Sequence, residues 1–216
     1  MKKLLVIPFL AALFFASCKK NTNTVSQLVT YSEPTITVNG SQYYSIPVGG
    51  SLPSISATAY DSFYQTSYPV VIDQSSLDNT VPGLNIVYIK STNKYGMVGS
   101  KGVYVAVTDV DPAIDLSGTY KRTSPSAGPT FAVTELANGL YRTDNVAGTA
   151  TAAFIVSAYF VQTSTTEIDL PMQETAAGSL YGASTALSMT PGDTTYDYAI
   201  QGNSSFGTYV RTFTKQ

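Results

Sequence analysis

The sequence predicts an all-β protein, a small β-sandwich followed by a second antiparallel unit that is either a barrel or another sandwich. Three observations carry this. From Pro34 onward, short runs of Val, Ile, Thr and Tyr are separated by Gly, Pro, Asn and Asp at intervals of roughly 8 to 12 residues, the grammar of strands and turns. No stretch repeats its apolar residues with convincing helical spacing. A hydrophobic fraction of 44%, with 16 tyrosines and nine phenylalanines, supplies cores and argues against disorder.

The chain opens with Lys2 and Lys3, an apolar run from Leu4 to Phe15 interrupted by Pro8, and small Ala16 and Ser17 before Cys18, the only cysteine. The run is too short to cross a bilayer, which takes roughly 20 apolar residues, so residues 1–17 read as an export signal ending in a lipobox. Cleavage before Cys18 would free a thiol and an amino group for acylation. One acyl chain anchors marginally and two or more anchor stably. The expectation is a lipoprotein held on a membrane through Cys18; an ordinary secretory signal with an incidental cysteine is the alternative. With Cys18 committed to lipid, no thiol remains to form a disulfide. Residues 18–33, polar and rich in Asn, Thr and Ser, read as a flexible tether.

The remaining length of about 200 residues suits one large or two small domains. A break falls at 108–115, where a strand-like run ends in Asp109, Asp111, Pro112 and Asp115, giving domains at 34–109 and 110–216. In the first, strands are expected at 35–38, 42–46, 52–59, 70–73, 84–91 and 99–108. Asn39-Gly40 reads as a hairpin turn, because both residues tolerate positive φ. In the second, Gly118-Thr119-Tyr120-Lys121-Arg122-Thr123, Gly139-Leu140-Tyr141-Arg142-Thr143 and Gly207-Thr208-Tyr209-Val210-Arg211-Thr212 echo one another. A turn glycine followed by β-prone residues explains the echoes without a repeat. The first and third stand at the two ends of the domain, where terminal strands can pair and close a sheet, removing its edges. Further strands are expected at 131–136, 153–162, 167–172, 179–189 and 195–200.

Pro34-Thr35-Ile36-Thr37-Val38-Asn39-Gly40, Val48-Gly49-Gly50, Ala57-Thr58-Ala59-Tyr60-Asp61, Pro82-Gly83, Asn93-Lys94-Tyr95-Gly96 and Tyr104-Val105-Ala106-Val107-Thr108-Asp109 together resemble the HYR-like bacterial immunoglobulin-like domains. That resemblance implies an Ig-like sandwich over 34–109. The chain departs from it at Asn93-Lys94-Tyr95-Gly96, where the family's turn carries an aspartate, and at Ser62-Phe63-Tyr64-Gln65-Thr66-Ser67-Tyr68, where the family has an acidic loop. The fold inference survives these changes, whereas any acid-dependent ion site of the family does not. Ser117-Gly118-Thr119-Tyr120-Lys121-Arg122 and Gly139-Leu140-Tyr141-Arg142-Thr143-Asp144 resemble the C-terminal module of two-domain Bacteroidetes-type lipoproteins of glycan-utilisation loci. This second resemblance implies an outer-membrane, surface-facing protein of a glycan-acquisition system. Lys19-Lys20-Asn21-Thr22 lacks the acids often associated with surface export in such lipoproteins.

Composition removes several chemistries. There is no histidine, so the commonest neutral-pH base and metal ligand is missing, and histidine triads and zinc sites are excluded. Charged residues are 12%, and the net charge of -2 becomes about -4 once Lys2 and Lys3 leave with the signal, which offers nothing for nucleic acid. No cofactor is expected. Glu167 and Asp169, on one face of a strand, are a carboxylate pair of the kind a glycosidase needs, although a solvated strand face explains them equally and catalysis is not expected. Asp109, Asp111 and Asp115 are calcium candidates at the domain junction, where acids around a proline also serve as turn formers. The aromatic loop Tyr60, Phe63, Tyr64, Gln65 and Tyr68 is the candidate glycan site, since sugar C–H faces stack on rings and hydroxyls seek amides; the alternative is that these rings fill the sandwich core. The reading is a non-catalytic lipoprotein assisting glycan capture, with the membrane, a glycan or an outer-membrane receptor protein as partners. A spacer or adhesion role is the alternative.

Overall fold

The computed structural model describes residues 31–190 and 192–216, and its regular elements there are strands apart from two short 3-10 turns. The export signal, Cys18 and the tether up to residue 30 lie outside the described residues. The described residues are all-β, as the alternating runs predict.

Seven strands build the first module: β1 (Thr35–Val38), β2 (Tyr43–Ile46), β3 (Ala57–Asp61), β4 (Thr66–Tyr68), β5 (Val70–Asp73), β6 (Gly83–Thr92) and β7 (Val98–Val107). They form a three-stranded sheet, β1-β3-β4, and a four-stranded sheet, β2-β7-β6-β5. Alternation decides what lies between the sheets. Val87 and Ile89 of β6 and Val103, Val105 and Val107 of β7 point inward, where they meet Ile36 and Ala59 of the opposite sheet together with Ile46 and Ile55.

Asn39-Gly40 does not make a hairpin. β1 pairs with β3, while β2 crosses to the other sheet and runs parallel to β7, Tyr43 opposite Tyr104. The reason is local: the Asn39 N–H donates to Ser56 O at 2.8 Å and its side-chain amide to Ser56 Oγ, which prolongs the pairing with β3 and leaves Gly40, at φ 117°, to turn the chain away.

The second module contains β8 (Gly118–Ser124), β9 (Thr130–Ala137), β10 (Leu140–Thr143), β11 (Ala158–Gln162), β12 (Ile168–Asp169), β13 (Gln173–Thr175), β14 (Gly178–Thr190), β15 (Asp193–Gln201) and β16 (Val210–Lys215). These form one curled nine-stranded sheet in the order β12-β11-β10-β9-β8-β16-β15-β14-β13. The two terminal strands pair as the echoes suggested, Thr212 opposite Ser124 and Lys215 opposite Tyr120. The curl brings the far ends together: Gly182 N–H donates to Leu170 O at 2.7 Å and Leu187 N–H to Thr166 O at 2.8 Å, stitching β14 to the chain on either side of β12. Aromatic rings fill the interior. Tyr120, Tyr141, Phe160, Tyr196, Tyr198 and Phe213 are fully buried, and Tyr196 lies 5.0 Å from both Tyr120 and Phe213. Tyr120 and Tyr198 satisfy their hydroxyls on Leu116 O and Val146 O.

The expected strand 52–59 begins only at Ala57 and runs on to Asp61, and two other expected strands shorten for visible reasons. The run 167–172 keeps only Ile168–Asp169, because Pro171 has no N–H to give the ladder; the side-chain amide of Gln173 then stands in, accepting from Tyr159 N–H and donating to Tyr159 O, both at 2.8 Å. The run 153–162 begins as the 3-10 turn Ala152–Phe154, which seats Phe154 against Phe206, and becomes strand only at Ala158.

The outer face of β6 and β7 carries the second module. Leu84 and Ala106 pack against Leu140 and Val161, and beside them Tyr43, Tyr104 and Tyr159 form a ring cluster with Tyr104 and Tyr159 4.1 Å apart. A polar bond ties the same seam, Thr108 Oγ1 donating to Gln162 O at 2.7 Å, and the Asn138 amide holds the start of the second module by donating to Val110 O. Residues Ser32–Gln216 thereby form one compact unit.

Candidate ligand-binding surface

The aromatic loop is built on one buried acid. Asp61, the last residue of β3, is fully buried, and its Oδ1 accepts from the N–H groups of Phe63 and Tyr64, both at 3.1 Å, and from Ser32 Oγ at 2.7 Å. Its Oδ2 accepts from Asn93 Nδ2 at 3.1 Å. Asn93 holds the β6–β7 turn in the same manner, its Oδ1 accepting from Tyr95 N–H and Met97 N–H while its amide also donates to Ser32 O. Burial works to raise the Asp61 pKa, but the bonds from Ser32, Asn93, Tyr64 and Phe63 outweigh it and hold the carboxyl below its ordinary value. One acid-amide pair therefore fixes the entry of the chain, the β3–β4 turn and the β6–β7 turn together.

On this base Phe63 and Tyr95 are exposed and Tyr64, between them, is half-buried. Phe63, 58% exposed, meets Tyr64 edge-on at 4.9 Å, and Tyr64 lies 4.7 Å from Tyr95. Lys94 places its ammonium 5.0 Å from the Tyr95 ring centre and 5.6 Å from that of Tyr64. Gln65 is exposed at the turn, with φ 49°. Tyr60 stands on the outer face of β3 opposite Ser67 and is 48% exposed. Tyr68 sits opposite Ala59, toward the sandwich interior, with its hydroxyl buried. Of the five loop residues singled out in the sequence, Phe63, Tyr64 and Gln65 share the loop tip, Tyr60 is displayed beside it, and Tyr68 belongs to the core side. Lys94 and Tyr95 join the cluster without having been foreseen. Their signal is the position of Asn93-Lys94-Tyr95-Gly96 between two long strand runs, which makes it a hairpin tip at the same end of the sandwich as the β3–β4 turn.

The acids go elsewhere. Asp169 accepts from Leu84 N–H at 3.1 Å across the seam between the modules, and burial raises its pKa against the smaller opposing effect of that bond. Glu167 is exposed, in the connection before β12. The two carboxyl groups thus stand in different settings, one in a packed seam and one in solvent. Asp109 accepts from Val48 N–H, Asp111 from Ala113 N–H, and Asp115 from both the N–H and the hydroxyl of Ser117. Among the described residues no three His, Cys, Asp or Glu side chains converge to hold a metal.

A second aromatic-lined concavity, of about 290 Å³, opens where β6 and β7 meet β13, with Tyr88, Tyr104, Met172, Gln173 and Glu174 around it. It offers rings and an amide in a groove, the ingredients the loop tip offers on a protrusion.

No family model matches the sequence, and no curated protein matches it. Among solved structures the chain is similar to the lipoprotein BT2262 from Bacteroides thetaiotaomicron, at 18% identity and a TM-score of 0.35, covering 85% of this chain and 100% of that one. A likeness of that degree leaves the functional argument to the residues themselves.

Proposed function

We propose that the chain is a lipid-anchored, non-catalytic lipoprotein of the outer membrane, displayed at the cell surface, where it assists glycan capture in a polysaccharide-utilisation system. The lipobox ending at Cys18 supports the anchor. The observation that carries the binding reading is the ring cluster at the loop tips, exposed Phe63 and Tyr95 on either side of half-buried Tyr64, on turns held by a buried Asp61–Asn93 pair. Sugar C–H faces stack on such rings, and Gln65 and Lys94 lie beside them to meet hydroxyls. The acids singled out in the sequence serve the seam, turns or solvent.

Two measurements test this. Mass spectrometry of the mature N-terminus should find an acylated Cys18; an unmodified cysteine or a different start removes the anchor. A glycan array on the full chain should return binding that Tyr64→Ala weakens about three- to tenfold, the worth of one stacked ring. If Tyr88→Ala abolishes binding and Tyr64→Ala does not, the site is the groove instead.

A spacer or adhesion role is the second reading, favoured by the apolar and hydrogen-bonded seam that makes one compact unit of both modules. It predicts a blank array together with specific retention of an outer-membrane protein.

A further inference from the structure

Arg122 of β8 and Arg211 of β16 line a cavity of about 200 Å³, walled by Phe154 and Tyr209 and edged by the hydroxyl-bearing Thr149 and Ser205. Arg211 is only 1% exposed. Its guanidinium donates to the carbonyls of Gly207, Tyr209 and Phe206, its Nε is buried with no hydrogen-bond partner among the described residues, and it lies over the Tyr209 ring at 4.0 Å. Arg122 donates to Ser126 O at 3.0 Å, to Ala147 O at 2.9 Å and to Ser126 Oγ at 3.3 Å. Each of these acceptors is neutral.

The ion pairs found among the described residues, Lys90 with Asp73 and Arg142 with Asp144, lie elsewhere. A guanidinium has five donors, and both arginines retain donors beyond the bonds named. Two cations side by side around a hollow, one of them buried, carry an electrostatic cost that a third group of opposite charge would relieve. Burial lowers the Arg211 pKa below its ordinary value against opposing contributions from Tyr209 and Tyr198, and the Arg122 charge adds the smallest part in the same direction as burial.

We infer that this cavity is a binding site for a single oxyanion group, a carboxylate, sulfate or phosphate, held between the guanidiniums of Arg122 and Arg211. The planar fork of arginine matches such groups with paired hydrogen bonds, and the hydroxyls of Thr149 and Ser205 add donors at the rim. Phe154 and Tyr209 give apolar walls for whatever body bears the anion. The site is in the second module and does not depend on the aromatic loop of the first being a sugar platform.

The test uses the full chain in detergent. Thermal unfolding and calorimetry are run with sodium sulfate, sodium phosphate and sodium glucuronate, each against sodium chloride at matched ionic strength. At least one oxyanion is expected to raise the unfolding midpoint above the chloride control and to bind with a measurable heat. Arg122→Gln should weaken that binding about tenfold or more, with Arg122→Lys between the two. A response to glucuronate assigns a sugar carboxylate; a response confined to sulfate and phosphate assigns a tetrahedral anion. If none of the three exceeds chloride, or if folded Arg122→Gln binds as tightly as the parent chain, the inference is wrong and the arginines only cap carbonyls. Because Arg122 is partly exposed, its variants keep the test open even where Arg211→Gln fails to fold.

Discussion

The carboxylate of Asp169 on β12 accepts a hydrogen bond from the backbone N–H of Leu84 on β6, 3.1 Å away and 85 positions earlier in the chain. This bond crosses the seam between the modules, and burial keeps the Asp169 pKa above its ordinary value. A raised pKa means that the ionised form is disfavoured in the folded state. The stability attached to this group is therefore fully present below the unfolded pKa and is lost as pH rises through the folded one. Asp169→Asn keeps the acceptor and removes the charge. Its stability relative to the parent should rise between pH 3 and pH 7 in urea unfolding. A relative loss at pH 7 would show that the charge itself holds the seam.

Asp61 should behave with the opposite sign. Its folded pKa lies below the ordinary value, so its contribution is present above the unfolded pKa and fades as pH falls through the folded one. Asp61→Asn should be less stable than the parent at pH 7, with the gap narrowing toward pH 3. The same variant should loosen the β3–β4 turn, read as faster hydrogen exchange at the Phe63 and Tyr64 amides, which the Asp61 carboxylate now holds. Exchange at parent rates would mean that the turn does not need this acid.

Gly99 is a close-approach position rather than a turn. It is buried on β7, and a methyl group placed there would lie 1.8 Å from the carbonyl oxygen of Pro34. Backbone cannot yield as a side-chain end does, so Gly99→Ala should cost more than about 2 kcal/mol. Equilibrium unfolding of the variant reads this directly, and a loss under about 0.5 kcal/mol would contradict the packing of residue 34 over β7.

Particular residues show why some of this was legible and some was not. Leu84-Asn85-Ile86-Val87-Tyr88-Ile89 alternates, and it became a strand because burying Val87 and Ile89 on one face satisfies the pattern regardless of what pairs with it. The same alternation did not reveal that the other face packs Leu84 against a second module while Ile86 and Tyr88 line a groove beside it. Asn39-Gly40 supplied turn chemistry without a destination, since a turn is local whereas the partner of β2 lies about 60 positions onward in β7. The loop tip was half legible: aromatic supply marked Phe63 and Tyr64, but Tyr95 and Lys94 joined them only through Asn93, whose bond to Asp61 spans 32 positions. Arg122 and Arg211 were visible in two of the echoes, yet nothing local says that strands at opposite ends of a domain will place them around one cavity.

The most direct test of the central claim is calorimetric titration of the best array glycan into the parent chain and into a Phe63→Ala/Tyr64→Ala double variant, with urea unfolding of both. The account predicts binding by the parent, a loss of about tenfold or more in the variant, and little change in unfolding midpoint, because Phe63 is mostly in solvent and the turn beneath is held by Asp61. A double variant that binds as the parent does, or one that loses binding only because it no longer folds, would contradict it.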